Sequence, residues 1–312
     1  MTTDRGIGPP DSSRALPHAA ETGSVPVLTP GGLYGRLLVH LQQGTLAIHT
    51  LPGVALEVLQ ALHGGEDSVT KIARLVGLDV ALTAHLIRVA NSPRYRPMTP
   101  VTTVRGAVTR LGSGVVRNLV NTFSLRQLFR ARGSVLNRLM QVYWVHSTRV
   151  AAASYWLAKE CSRLAPDQAL FDGLGHNIGV VPLLSELESQ PGIERHPEWV
   201  STLIQRLYTH AGAKVLATWG FEQERVSVAR DHLDFSRDTG PRPDYTDVVM
   251  IANLHVNLER GCTLKAPHWS RIPAFAKFGL EPAKLVKRLV EAGAAIDEIE
   301  ALFFPAASTS PP

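Results

Sequence analysis

Apolar residues recur at helical spacing along nearly the whole chain, and alternation of the β kind is almost absent. That pattern leaves little besides a helical fold. In SVTKIARLVG, preceded by Asp67, residues Val69, Ile72, Ala73 and Val76 share one face and Gly77 marks a stop. Asp79 is placed to cap VALTAHLIRVANS, where Leu82, Leu86, Val89 and Ala90 line up, and Pro93 ends the run. Val101, Val104, Val108 and Leu111 continue the repeat to a stop at Gly112, and Val116, Leu119, Val120, Phe123 and Leu128 resume it. A long amphipathic helix begins near Ser134, and 166–188, 198–218, 222–233, 244–259 and 281–303 also read as helices. Pro191-Gly192, the stretch 236–243 and Pro267 mark loops between them.

The expected organisation is a disordered tail over 1–31, rich in Pro, Gly, Ser and Thr, then a helical subdomain over 32–133 and a second over 134–260. A loop and helix over 261–304 and a second disordered tail over 305–312 complete it. The two helical halves are expected to pack on each other across a short join carrying Gly133-Ser134. No apolar run approaches the roughly 18–20 residues of a membrane helix, and the first twenty residues have no signal-peptide core. Cys161 and Cys262 have no CxxC spacing, so a reducing cytoplasm is the simpler expectation. The net charge of +5 is unevenly placed. Residues 32–133 hold twelve Lys/Arg against four Asp/Glu, and the rest of the chain is slightly acidic. Such a face is either a contact for an acidic or phosphate-bearing partner or simply solvated.

Histidine is the residue with most chemistry to offer. His146 in WVHS, His176 in GLGHN, His210 in YTHAGAKVLATWG and His232 in RDHLD lie in or beside predicted helices, with small neighbours that let a side chain point inward. Imidazoles from several helices are one way a helical bundle builds a metal site. Other candidates are weaker. Gly112-Ser113-Gly114 lacks phosphate-loop spacing, Cys161 sits on an apolar helix, and the glycines of GLGHNIG fit close helix packing. Trp144, Trp156 and Trp219 have apolar neighbours and read as core.

LPGVALEVLQALHGG, LDVALTAHLIRVANSPRY and TTVRGAVTRLGSGVVRNLV, followed by WVHS, GLGHNIG and HAGAKVLATW, resemble an HDOD domain, an output domain related to the HD metal-dependent phosphohydrolases. The resemblance runs from about residue 34 to about 260. It implies an all-α fold in which an N-terminal helical bundle packs on an HD-like helical bundle. HD enzymes hold metal on His residues, an adjacent His-Asp pair and a later Asp. The His positions are matched at His146, His176, His210 and His232, but Asn177 and Asn253 stand where the two Asp would be. An amide keeps the shape of a carboxylate without the charge that offsets a metal and orients water. The implied site at His146, His176, Asn177, His210, His232 and Asn253 is therefore degenerate, with no catalytic residue and no cofactor expected. The alternative is a residual divalent ion on the imidazoles, with Asp172, four residues before His176, orienting that ring or substituting as a ligand.

What the resemblance implies is a bacterial signal-transduction module that acts without catalysis. Its partners would be signalling or regulatory proteins, or a nucleotide second messenger as ligand. Arg94, Arg96 and Arg105 of the basic half are the candidate contact residues. The competing expectation is a metal-dependent phosphohydrolase acting on a nucleotide or cyclic dinucleotide. Nucleic-acid binding is disfavoured because no aromatic residues interleave the basic run, and no membrane association is expected.

Overall fold

The structure, a computed structural model, describes residues 29–48, 57, 68–95, 99–129, 134–261 and 268–304. The segments 1–28 and 305–312, most of LPGVALEVLQALHGG, Arg96, the join at 130–133, Cys262 and Pro267 lie outside the described residues. Among the described residues there are helices and no strands.

The chain opens with α1 (Pro30–Gln43). The Thr29 hydroxyl accepts from the Gly32 amide at 3.2 Å and Pro30 supplies a pre-set φ for the first turn. Pro30 and Gly31 therefore belong to a helix and not to a tail reaching residue 31. Next come α2 (Ser68–Val76) and α3 (Val80–Ala90). Asp79 caps α3, its carboxylate accepting from the Leu82 amide at 2.9 Å. The helix buries Leu82, Leu86, Val89 and Ala90, as their spacing predicts. Helix α4 (Val104–Leu128) bends at Gly112, whose φ of 78° and ψ of 159° interrupt the helix.

The long α5 (Ser134–Cys161) is followed by α6 (Pro166–Gly175) and α7 (Val180–Glu188). After these come α8 (Pro197–Thr218), α9 (Gln223–Asp231) and α10 (Tyr245–Glu259). A short α11 (Pro273–Ala276), then α12 (Pro282–Glu291) and α13 (Gly293–Phe303) complete the described chain. The segment 166–188 divides within GLGHNIGVVPLL, which reads as one helix ending and another starting, and 281–303, which reads as a single helix, is divided as well. The first breaks at the turn 176–179 and the second at Ala292. The first break has a packing cause. A Cβ on Gly179 would run into the Tyr208 carbonyl and the Gly212 amide, so the chain here lies backbone to backbone against α8.

One apolar cluster takes Leu37, Ile72, Leu86, Leu119 and Leu125 from the first half and Leu170, Ile178, Leu203 and Val215 from the second. A second cluster surrounds α10, where Val248, Val249 and Ile251 meet Leu157, Phe275, Leu285 and Ile296. Arg149 on α5 clamps this layer, donating to both oxygens of Glu259 at 3.0 and 3.1 Å and pairing with Asp297 on α13. Helix α5 thus contributes to both clusters, and its middle turn, at His146, faces α10.

Candidate functional site

Three of the four singled-out histidines converge. The His146 and His176 ring centroids are 5.5 Å apart, and those of His176 and His232 are 5.0 Å apart, edge to face. His146 comes from α5, His176 from the end of α6 and His232 from the end of α9. His176 and His232 are fully buried.

The closing of α6 onto α5 explains how His176 gets there. A Cβ on Gly173 would sit 2.8 Å from the Ala151 Cα, so that glycine lets the two helices approach. The packing role expected of the GLGHNIG glycines is met by Gly173 and Gly179, whereas a Cβ on Gly175 would meet nothing within 4 Å.

Hydrogen bonds fix the tautomer of each ring. His176 Nδ1 lies 2.6 Å from the Gly173 carbonyl, which can only accept, so Nδ1 carries the proton and Nε2 is a bare lone pair. That Nε2 is buried and has no hydrogen-bond partner among the described residues. His232 Nδ1 faces the Val228 and Ala229 carbonyls at 3.0 and 3.1 Å and donates there. Its Nε2 accepts from the Tyr208 hydroxyl at 2.9 Å. His146 Nε2 is 2.9 Å from the Asn253 side-chain oxygen, which also accepts from Asn257 Nδ2 at 2.9 Å. With that oxygen fixed as acceptor by Asn257, Nε2 of His146 carries the proton.

Burial holds all three rings neutral. It lowers His146 to about 4, helped by the charge of Arg260, and lowers His232 to about 4. His176 is pushed well below its ordinary value, first by burial and then by its two imidazole neighbours.

His210 is not part of the cluster. It is exposed on α8, where its ring nitrogen meets the Thr209 hydroxyl at 3.3 Å. At roughly 100° per residue, position 210 points away from the inward stripe of Ile204, Leu207, Tyr208 and Ala211. Tyr208, two residues earlier, takes the inward place. Sequence reasoning passes over Tyr208 because it carries no metal-ligand signature, although the spacing of that stripe puts it on the buried face.

Asp172 does not orient His176. Its carboxylate is buried and faces Arg225 at 3.3 Å, and the Arg225 guanidinium lies 4.8 Å from the Phe171 ring. The His176 ring nitrogen Nδ1 is instead given to the Gly173 carbonyl. Burial raises Asp172 to about 7, with Arg225 pulling the other way. Asn177 is buried in the turn after α6.

An HD-type centre requires several lone pairs and anionic oxygens aimed at one point. His176 offers a buried lone pair on Nε2, that of His232 is taken by the Tyr208 hydroxyl, His146 turns an N–H toward Asn253, and Asn253 brings no charge. Among the described residues no three His, Cys, Asp or Glu side chains gather so as to hold a metal ion. The residues present do not fit a hydrolytic metal centre.

The candidate contact arginines are scattered. Arg105 is exposed, Arg96 lies outside the described residues, and Arg94 turns partly inward, its guanidinium 4.2 Å from the Tyr155 ring centroid. Lys71, Arg74, Arg88 and Arg105 keep basic charge of the first half at the surface.

The family model for the HDOD domain matches residues 48–235, and the chain belongs to that family. Among solved structures it is similar to a Shewanella amazonensis SB2B protein provisionally named a metal-dependent phosphohydrolase. That similarity has 27% identity and a TM-score of 0.74, covering 88% of this chain and 99% of the other. An HDOD domain protein of unknown function from Geobacter sulfurreducens has the same fold, with 19% identity, a TM-score of 0.64 and coverage of 88% and 98%. An uncharacterized protein of Treponema pallidum (strain Nichols) is 23% identical over 232 residues, 69% of this chain but 43% of its own length. The chain thus spans less than half of that relative. No helix among the described residues is long and apolar enough to cross a membrane.

Proposed function

We propose that this chain is a regulatory module that works by binding another protein and does not hydrolyse phosphoesters. The observation that carries this reading is the bond between His146 and Asn253. Where a hydrolase needs a charged oxygen, Asn253 offers an amide already engaged by His146 and Asn257. The polar centre then works as a hydrogen-bonded bolt between α5 and α10. The exposed basic side chains of the first half, Lys71, Arg74, Arg88 and Arg105, supply the partner contact to an acidic protein surface.

Two measurements test this. Incubation with Mn2+ and p-nitrophenyl phosphate or bis-p-nitrophenyl phosphate should give no hydrolysis above that of His176→Ala. Turnover in the parent chain that is lost in His176→Ala would overturn the reading. In a pull-down from a bacterial lysate, Arg105→Glu combined with Arg74→Glu should reduce the retained partner. Unchanged retention would leave these basic side chains merely solvated.

A further inference from the structure

A crevice of about 990 Å³ opens between the turn after α3, the last turns of α5 and α13. That volume lies in the range of small-molecule pockets, roughly 300–1,000 Å³. Its walls are largely apolar, with Tyr95 and Trp156 on one side and Ile299 and Leu302 of α13 on the other, over a floor where the buried Tyr155 and Phe303 rings pack 5.8 Å apart. Trp156, expected in the core, is half-buried here.

Among the described residues, four charged side chains line it: Arg94, Lys159, Glu160 and Glu298. Lys159 and Glu160 pair with each other at 2.9 Å, and Glu298 is exposed. Arg94 is different. Its side chain is 28% exposed, and the carboxylate it faces, Asp167, is 4.0 Å away, beyond hydrogen-bond distance. Other partly covered arginines are better served. Arg149 and Arg225 each have a carboxylate oxygen within 3.3 Å, and so does Arg237, on Asp247. Arg94 instead rests on the Tyr155 ring with Tyr95 beside it, its guanidinium held in a plane at the crevice. A guanidinium so placed suits two oxygens of one anion.

We propose that this crevice binds a small anion with a flat apolar body, its charged group on Arg94 and its body between the aromatic wall and α13. Because α13 lies beyond the residues matched by the family model, an occupant would bridge the turn 92–95 and a segment outside the matched region. The site is separate from the basic side chains of that contact, so a failed partner pull-down leaves it standing.

The test uses the full chain and two fluorescent probes, the aromatic sulfonate 8-anilino-1-naphthalenesulfonate and the neutral N-phenyl-1-naphthylamine. The sulfonate should bind with about one equivalent. Arg94→Gln should weaken it at least tenfold while changing the neutral probe little, and Ala301→Trp, a substitution at an exposed lining position, should exclude both. Circular dichroism establishes that each variant is folded. Absence of saturable sulfonate binding, or binding unchanged in both folded variants, overturns the site. Equal loss of both probes in Arg94→Gln overturns the assignment of an anion.

Discussion

The Tyr208 hydroxyl donates to Nε2 of His232 across 2.9 Å, joining α8 to the end of α9 inside the bundle. Burial holds the phenol protonated and the imidazole neutral, so donor and acceptor are matched. Tyr208→Phe leaves a buried acceptor without its donor. The expected loss is about 1–3 kcal/mol, read from the urea unfolding midpoint. A variant as stable as the parent would mean that the bond contributes nothing net.

Asn253→Ala should lower stability by a similar amount, about 1–3 kcal/mol, because it strips an acceptor from both His146 and Asn257. Phosphoesterase activity should be absent before and after the change. A drop in turnover with unaltered stability would contradict the bolt and restore an enzymatic role.

Gly179 and Gly175 make a matched pair of tests. Gly179→Ala must part the turn after α6 from α8, since its Cβ meets backbone that has no flexible end to yield. A loss of about 3 kcal/mol or more, or failure to fold, is expected. Gly175→Ala, with open space around the added carbon, should be within about 1 kcal/mol of the parent. Thermal melts of the two variants side by side separate these outcomes.

Acid should weaken the fold. His85, His146 and His232 are each held at about 4, by burial first, against an ordinary value of 6.5. Above pH 6.5 they are neutral folded or unfolded. Between 6.5 and 4 the unfolded chain takes up protons that the folded chain refuses, so stability falls as pH falls through this window. Each group adds a slope of at most about 1.4 kcal/mol per pH unit. Asp172, raised to about 7, acts with the opposite sign, while His176, pushed well below its ordinary value, adds to the three. Urea midpoints that stay flat from pH 6.5 to 4.5 would show that these rings are not held neutral.

Much of this architecture is legible from residue spacing. Asp79 and Gly112 announce a cap and a break in the helix because each acts locally, Asp79 by its carboxylate on the Leu82 amide and Gly112 by its own backbone angles. The convergence of His146, His176 and His232 is also legible, through the family resemblance. What spacing does not reveal is which way a side chain turns at a helix end. His176 keeps helical backbone angles at the cap of α6, yet its ring turns back to the Gly173 carbonyl while Asp172 turns to Arg225. His210 is drawn in by its residue type, while the helical phase of α8 gives the inward position to Tyr208. Arg225 is a partner for Asp172 that only the tertiary fold supplies.

The apolar cluster shared by the two halves bears on how the chain can be handled. Cutting near residues 131–135 would not release two domains. Leu119, Val120 and Leu125 on one fragment and Leu170 and Ile178 on the other would be laid bare together. Each piece would carry a raw adhesive face, and the unit for expression or for exchange between proteins is the joined pair.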